Sequence, residues 1–100
     1  MTQHIGIQRI DEHGKLLERS DINFADVVNM LYKLKDYKEN YPLLAYVDPY
    51  GDTYLNILQR PDFVEELKRF SRDNNFGDTK ELADFISKTG VREYIKFIGD

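Results

Sequence analysis

The sequence predicts an α+β fold, a single domain over residues 1–100, and three observations predict it. Two stretches of β-forming residues each enclose a turn signal, and three other segments place apolar residues at helical spacing. The last ten residues, VREYIKFIGD, hold a β-forming run too short for a useful helix. The expected order is β-β-α-β-β-α-α-β, with two hairpins and a C-terminal strand in one mainly antiparallel sheet and three helices packed on it.

The first hairpin joins HIGIQRI to KLLERSD across Asp11-Glu12-His13-Gly14. A two-residue turn at His13-Gly14 sets Glu12 opposite Lys15 and Arg9 opposite Glu18, with Ile5, Ile7, Leu16 and Ile22 on one face. A three-residue bulged loop instead pairs Ile10 with Leu16. Charge pairing favours the first. Asn23 then caps a helix running to about Lys38, with Asp26 in its first turn and Phe24, Val27, Val28, Leu31 and Leu34 as its inward stripe. Asn40 and Pro42 end it.

Leu43 to Leu58, LLAYVDPYGDTYLNIL, predicts the central hairpin. Pro49-Tyr50-Gly51 is its three-residue loop, with Gly51 expected at the positive φ of a G1 bulge. That register sets Val47 opposite Thr53 and Tyr46 opposite Tyr54. Leu43, Ala45, Val47, Thr53, Leu55 and Ile57 share the face expected to be buried. Leu44, Tyr46, Asp48, Asp52, Tyr54 and Asn56 share the other. Two further helices follow, each opened by a capping-box spacing: Asp62/Glu65, with Phe63, Val64, Leu67 and Phe70 inward, and Asp78/Glu81, with Leu82, Ala83, Phe85 and Ile86 inward. The first should stop near Asn74, Asn75 and Gly77, the second at Gly90. Tyr94, Ile95, Phe97 and Ile98 make the closing strand.

At 41% hydrophobic and 32% charged the composition is that of a globular protein, and a chain of 100 residues can bury enough surface for one core. Without cysteine there is no disulfide, thiolate nucleophile or Cys-type zinc site, which fits a reducing compartment. The N-terminal residues carry no basic-then-apolar signal pattern and no long apolar run occurs, so the expectation is an unprocessed, cytoplasmic protein with no membrane partner. Eighteen acidic against 14 basic residues give −4, spread evenly over both halves, and argue against nucleic acid as a ligand. Lys33, Lys35 and Lys38 fall at a helix end, where cations favour the dipole.

Little in the sequence points to catalysis. Ser20, Ser71 and Ser87 lack a nucleophile-elbow context, and His4 and His13 have no metal-ligand spacing. No phosphate-binding glycine loop is present, so no cofactor is expected. Asp48, Asp52 and Asp100 could gather at one sheet end, as a small acid-site enzyme or divalent-metal binder would need, although D-P-Y-G-D lacks the alternating ligands of a calcium loop. Asp48 could equally cap its own turn and Asp52 be solvated. Exposed tyrosines ringed by carboxylates fit a protein-binding patch better, with Tyr46, Asp48, Tyr50, Asp52 and Tyr54 as the candidate residues and a basic protein as the partner.

D-P-Y-G-D-T at Asp48 to Thr53, I-D-x-x-G at Ile10 to Gly14 and a terminal F-I-G-D at Phe97 to Asp100 occur in the same order in a group of small bacterial proteins that this chain resembles. The likeness spans nearly the whole chain and implies a shared fold; its motifs are turns and strand ends and imply no site residue. In size and acidity the chain is also similar to immunity proteins of bacterial toxin systems. The functional expectation is a non-enzymatic protein-binding module, concretely an immunity-like inhibitor of a basic protein. The alternatives are the acid-site enzyme or metal binder, and a structural subunit with an apolar contact surface.

Overall fold

The computed structural model of the chain describes residues 3–77 and 79–100. Strands β1 (Gly6–Asp11), β2 (Leu16–Ser20), β3 (Asp52–Leu55) and β4 (Glu93–Ile98) form one antiparallel sheet in the order β2-β1-β4-β3. Among the described residues five helices accompany it: α1 (Ala25–Leu31), α2 (Tyr37–Asn40), α3 (Pro42–Tyr46), α4 (Arg60–Asp73) and α5 (Lys80–Ser87). The α+β class and the single sheet are as expected; the helices number five where three were expected.

Alternation along the strands turns Ile7, Thr53, Leu55, Ile95 and Phe97 to one face, where all are buried. Phe97 meets Phe24 and Phe63 there at ring-centroid distances of 4.8 and 5.4 Å, which ties α1 and α4 to the central strand β4. Fully burying a Phe side chain stabilises by about 1.5–3 kcal/mol, so this trio is a large part of the core.

The first hairpin combines both registers that the sequence allowed. Arg9 pairs with Glu18 as charge favours, yet Ile10 pairs with Leu16, and a bulge between Arg9 and Ile10 absorbs the difference. The loop is the three-residue one: Asp11 N–H donates to Lys15 O at 2.9 Å, and Gly14 adopts φ 84°. That φ is the left-handed conformation for which glycine is suited.

The central hairpin does not form. Leu43 to Tyr46 belong to α3, so the expected pairs Val47 with Thr53 and Tyr46 with Tyr54 are absent, and β3 pairs with β4 instead. Pro42 presets the first helical φ. The carboxylate of Glu66 on α4 then accepts the Leu43 N–H (2.9 and 3.1 Å) and the Leu44 N–H (3.3 Å), capping the helix from another element. Helical winding buries Leu44, which the strand reading exposed, while Ile57, in the turn that follows β3, is exposed where that reading buried it.

Gly51 does not take a positive φ, so the G1 bulge expected there is also corrected. A Cβ on Gly51 would instead meet Asp48 Oδ2 at 2.8 Å. Gly99 is the tighter position, since a Cβ there would stand 2.5 Å from Pro49 O. Across this contact Gly99 N–H donates to Gly51 O (2.8 Å) and Asp100 N–H to Pro49 O (3.0 Å). D-P-Y-G and F-I-G-D, far apart in sequence, thus form one joint.

Helix boundaries shift for local reasons. Asn23 Oδ1 accepts the N–H groups of Ala25 and Ile5, each at 3.0 Å, and so caps α1 as expected. The helix does not reach Lys38, because Asp36 adopts φ 55° and divides α1 from α2. The box opening α4 is Asn56/Gln59: Asn56 Oδ1 accepts the Gln59 N–H and Gln59 Oε1 accepts the Asn56 N–H, both at 3.0 Å. Asp62 and Glu65 lie within α4 and supply no such box. Of the expected Asp78/Glu81 pair, Asp78 lies outside the described residues.

Candidate functional site: an exposed tyrosine surface

Phenylalanine and tyrosine are sorted to opposite sides of this protein. Of six phenylalanines, five are buried and Phe76 packs partly buried against them. Of seven tyrosines only Tyr41 is buried, and its ring stacks edge-on with Phe70. Tyr46, Tyr50, Tyr54 and Tyr32 are 55%, 72%, 46% and 44% exposed. A tyrosine combines a large apolar ring with a hydrogen-bonding tip, so it gains from burial against a partner without requiring burial in the monomer.

The five residues singled out from the sequence are all exposed but do not form one sheet face. Tyr46 ends α3, Asp48 and Tyr50 sit in the turn, and Asp52 and Tyr54 lie on the edge strand β3. The two aspartates are not opposed. Asp48 Oδ1 accepts the Tyr50 N–H at 2.8 Å while the Asp48 N–H donates to Thr53 Oγ1 at 2.8 Å, so Asp48 organises its own turn. Asp52 is 3.6 Å from Nζ of Lys96, which stands opposite Tyr54 on β4, and that ammonium also lies 5.7 Å from the centre of the Tyr54 ring. Asp52 therefore has a cation of its own chain beside it, and is not simply solvated.

Asp100, the third carboxylate of the acid-site alternative, accepts the Gln3 and His4 N–H groups at 3.3 and 3.4 Å. Asp48, Asp52 and Asp100 are thus engaged separately. Among the described residues no three acidic or histidine side chains converge as a metal site would require, and no helix is long and apolar enough to cross a membrane.

Two further tyrosines, which pack on each other, were not singled out. Tyr32 immediately follows α1 and its ring packs on that of Tyr37 at 5.2 Å. The Tyr32 phenol is pushed up from its ordinary value, first by partial burial and then by Tyr37, Tyr50 and Asp48. Its position off the apolar stripe of α1 was the signal available in the sequence.

Elsewhere the charged side chains serve the fold. Arg9 donates to Glu93 (2.6 Å) and Glu18 (3.3 Å), and Glu18 also accepts from Lys88 (2.9 Å), a ladder joining three strands to the end of α5. The hydrogen bond to Glu93 is the main reason the Arg9 guanidinium is held above its usual value, and Arg9 is in turn the main reason Glu93 is held below its own. A groove of about 480 Å³ between α4 and α5, lined by Ile57, Pro61, Val64 and Val91 among others, contains none of the five singled-out residues. Compared with known proteins, the chain matches no protein-family model, no curated protein and no solved structure.

Proposed function

We propose that the protein works by binding another protein, without chemistry of its own, through the surface that carries Tyr46, Asp48, Tyr50, Asp52 and Tyr54. Its partner is a basic protein that it holds as an immunity-like inhibitor would. The observation that carries this reading is the exposure of four tyrosines between residues 32 and 54 in a chain whose buried aromatic residues are, apart from Tyr41, phenylalanines. Tyrosine is enriched at interface hot spots, and an excess of carboxylates speeds association with a positively charged target.

The test is capture of a partner from host extract by the tagged protein, compared with Tyr46→Ala, Tyr50→Ala and Tyr54→Ala. Central anchors should each weaken binding by about 1–3 kcal/mol. Asp52→Asn should act on association rate, and its effect should shrink as salt rises past about 0.15 M. Capture that survives all three tyrosine variants and is lost in Leu58→Ala or Val91→Ala, two exposed apolar residues at the α4–α5 end, would favour a subunit of a larger assembly instead.

A further inference from the structure

The groove between α4 and α5 holds a cation that the fold does not neutralise. Ile57, Pro61, Val64, Ile86 and Val91 give it apolar walls, and its volume of about 480 Å³ lies in the range of small-molecule sites. Arg60 lines the same groove and is only 5% exposed. Its hydrogen bonds go to the backbone oxygens of Glu93, Gly90 and Thr89, and among the described residues no carboxylate forms an ion pair with it. Carbonyl dipoles satisfy N–H groups without cancelling the charge. The carboxylate that acts on it from a distance, that of Glu93, is itself bound to Arg9 at 2.6 Å. The Arg60 Nε–H has no acceptor among the described residues, and it is not sealed off, since Arg9 Nε is the only buried side-chain nitrogen or oxygen so orphaned there.

Farther along α4, Lys68 and Glu65 also line the groove, both exposed and neither in an ion pair among the described residues. Arg60 and Lys68 against Glu65, two cations and one carboxylate, leave +1 in a chain that carries −4. We propose that this groove binds a small monocarboxylic acid with an apolar body, of the short-chain fatty acid class. Its carboxylate faces Arg60 and Lys68, and its chain lies on the walls formed by Val64, Ile86 and Val91. A single net positive charge suits a monoanion. Hydrogen bonds to an ionised acceptor are the stronger kind, and partial exclusion of water strengthens them further. The site shares no residue with the tyrosine surface and stands or falls independently of it.

The experiment is an NMR titration of the whole chain with octanoate below its micellar range, beside octanol and octylamine. Octanoate should give saturable shifts at Ile57, Val64, Lys68 and residues 86–91. Octanol keeps the apolar contacts and loses the charge-assisted bond, so it should bind about ten-fold more weakly, and octylammonium no better than octanol. Lys68→Gln, at an exposed side chain, should weaken octanoate by about two- to five-fold and leave octanol unchanged, a split that a merely structural effect would not produce. Glu65→Gln should strengthen octanoate. Arg60→Lys is a less direct probe because Arg60 also ties α5 to β4. Octanol binding as tightly as octanoate, tighter binding of octylammonium, equal weakening of octanoate and octanol by Lys68→Gln, or shifts that do not saturate or lie outside the groove would each overturn the proposal.

Discussion

Glu66 on α4 accepts the first N–H groups of α3, reaching Leu43 N, 23 residues earlier in the chain, at 2.9 Å. It is buried, and it replaces the local cap that Tyr41 does not provide. Glu66→Ala should lose about 1–3 kcal/mol, because two N–H groups lose their acceptor in a site from which water is largely excluded. Chemical denaturation measures the loss. Glu66→Gln keeps an oxygen at the Oε1 position, which serves both Leu43 and Leu44, and should lose less.

The same residue gives stability a sign-specific pH dependence. Burial is the main reason the Glu66 carboxyl lies above its ordinary 4.5, with the Leu44 and Leu43 N–H groups opposing it. A folded pKa above the unfolded one means a contribution that is full below the unfolded value and lost as pH rises through the folded one. Glu93, Glu18 and Asp11 run the other way: Arg9, Lys88 and the Lys15 N–H respectively are the main causes holding them down, so their contributions are lost as pH falls. The melting temperature of Glu66→Gln relative to wild type should therefore rise from about pH 4 to pH 7. A difference independent of pH would mean that Glu66 ionises as freely in the folded protein as in the unfolded one.

Gly99→Ala should destabilise by about 1–3 kcal/mol through overpacking, since the new methyl group would stand 2.5 Å from a carbonyl oxygen of the backbone. The Gly99 to Gly51 and Asp100 to Pro49 hydrogen bonds should open with it, which faster amide exchange at residues 99 and 100 would register. Gly77→Ala, where nothing lies within 4 Å of the added atom, is the matched control.

Arg60 is buried and spends its guanidinium on backbone, donating to Glu93 O (2.7 Å), Gly90 O (2.8 Å) and Thr89 O (3.2 Å). It thereby holds the end of α5 to the start of β4. Arg60→Met keeps the stem but leaves these carbonyls without their shared donor, and should lose about 2–3 kcal/mol by thermal or denaturant unfolding. Arg60→Lys should recover only part, because an ammonium lacks the fork that spans three acceptors.

What the sequence made legible was local. The stripe of Phe63, Leu67 and Phe70 announced α4, Asn23 announced the cap of α1, and Asp48 announced its own turn. The segment from Leu43 to Val47 misled because its Tyr and Val favour strands, while the group that decides its conformation, the Glu66 carboxylate, is distant in sequence. Asn56/Gln59 had the capping spacing on display, but Asp62/Glu65 offered the same spacing beside Pro61 and drew the boundary too late. Of the proposed binding surface, the exposure of the five residues was expected from a hairpin face that does not form; Tyr46 is exposed at the end of α3 and Tyr54 on an edge strand, placements that depend on Glu66 and on β4.

The sheet order sets a timetable for folding. β4, the last strand in sequence, lies between β1 and β3, with Gly6 opposite Ile98 and Asp52 also opposite Ile98. Until β4 arrives, β1 and β2 are an isolated two-stranded ribbon, which is marginal in water, and β3 has no strand to pair with. A nascent chain that has not yet added β4 therefore holds its helices without the four-stranded sheet to pack on, and the closing event joins β4 to β1, more than 80 residues earlier in sequence, the kind of distant contact that slows folding.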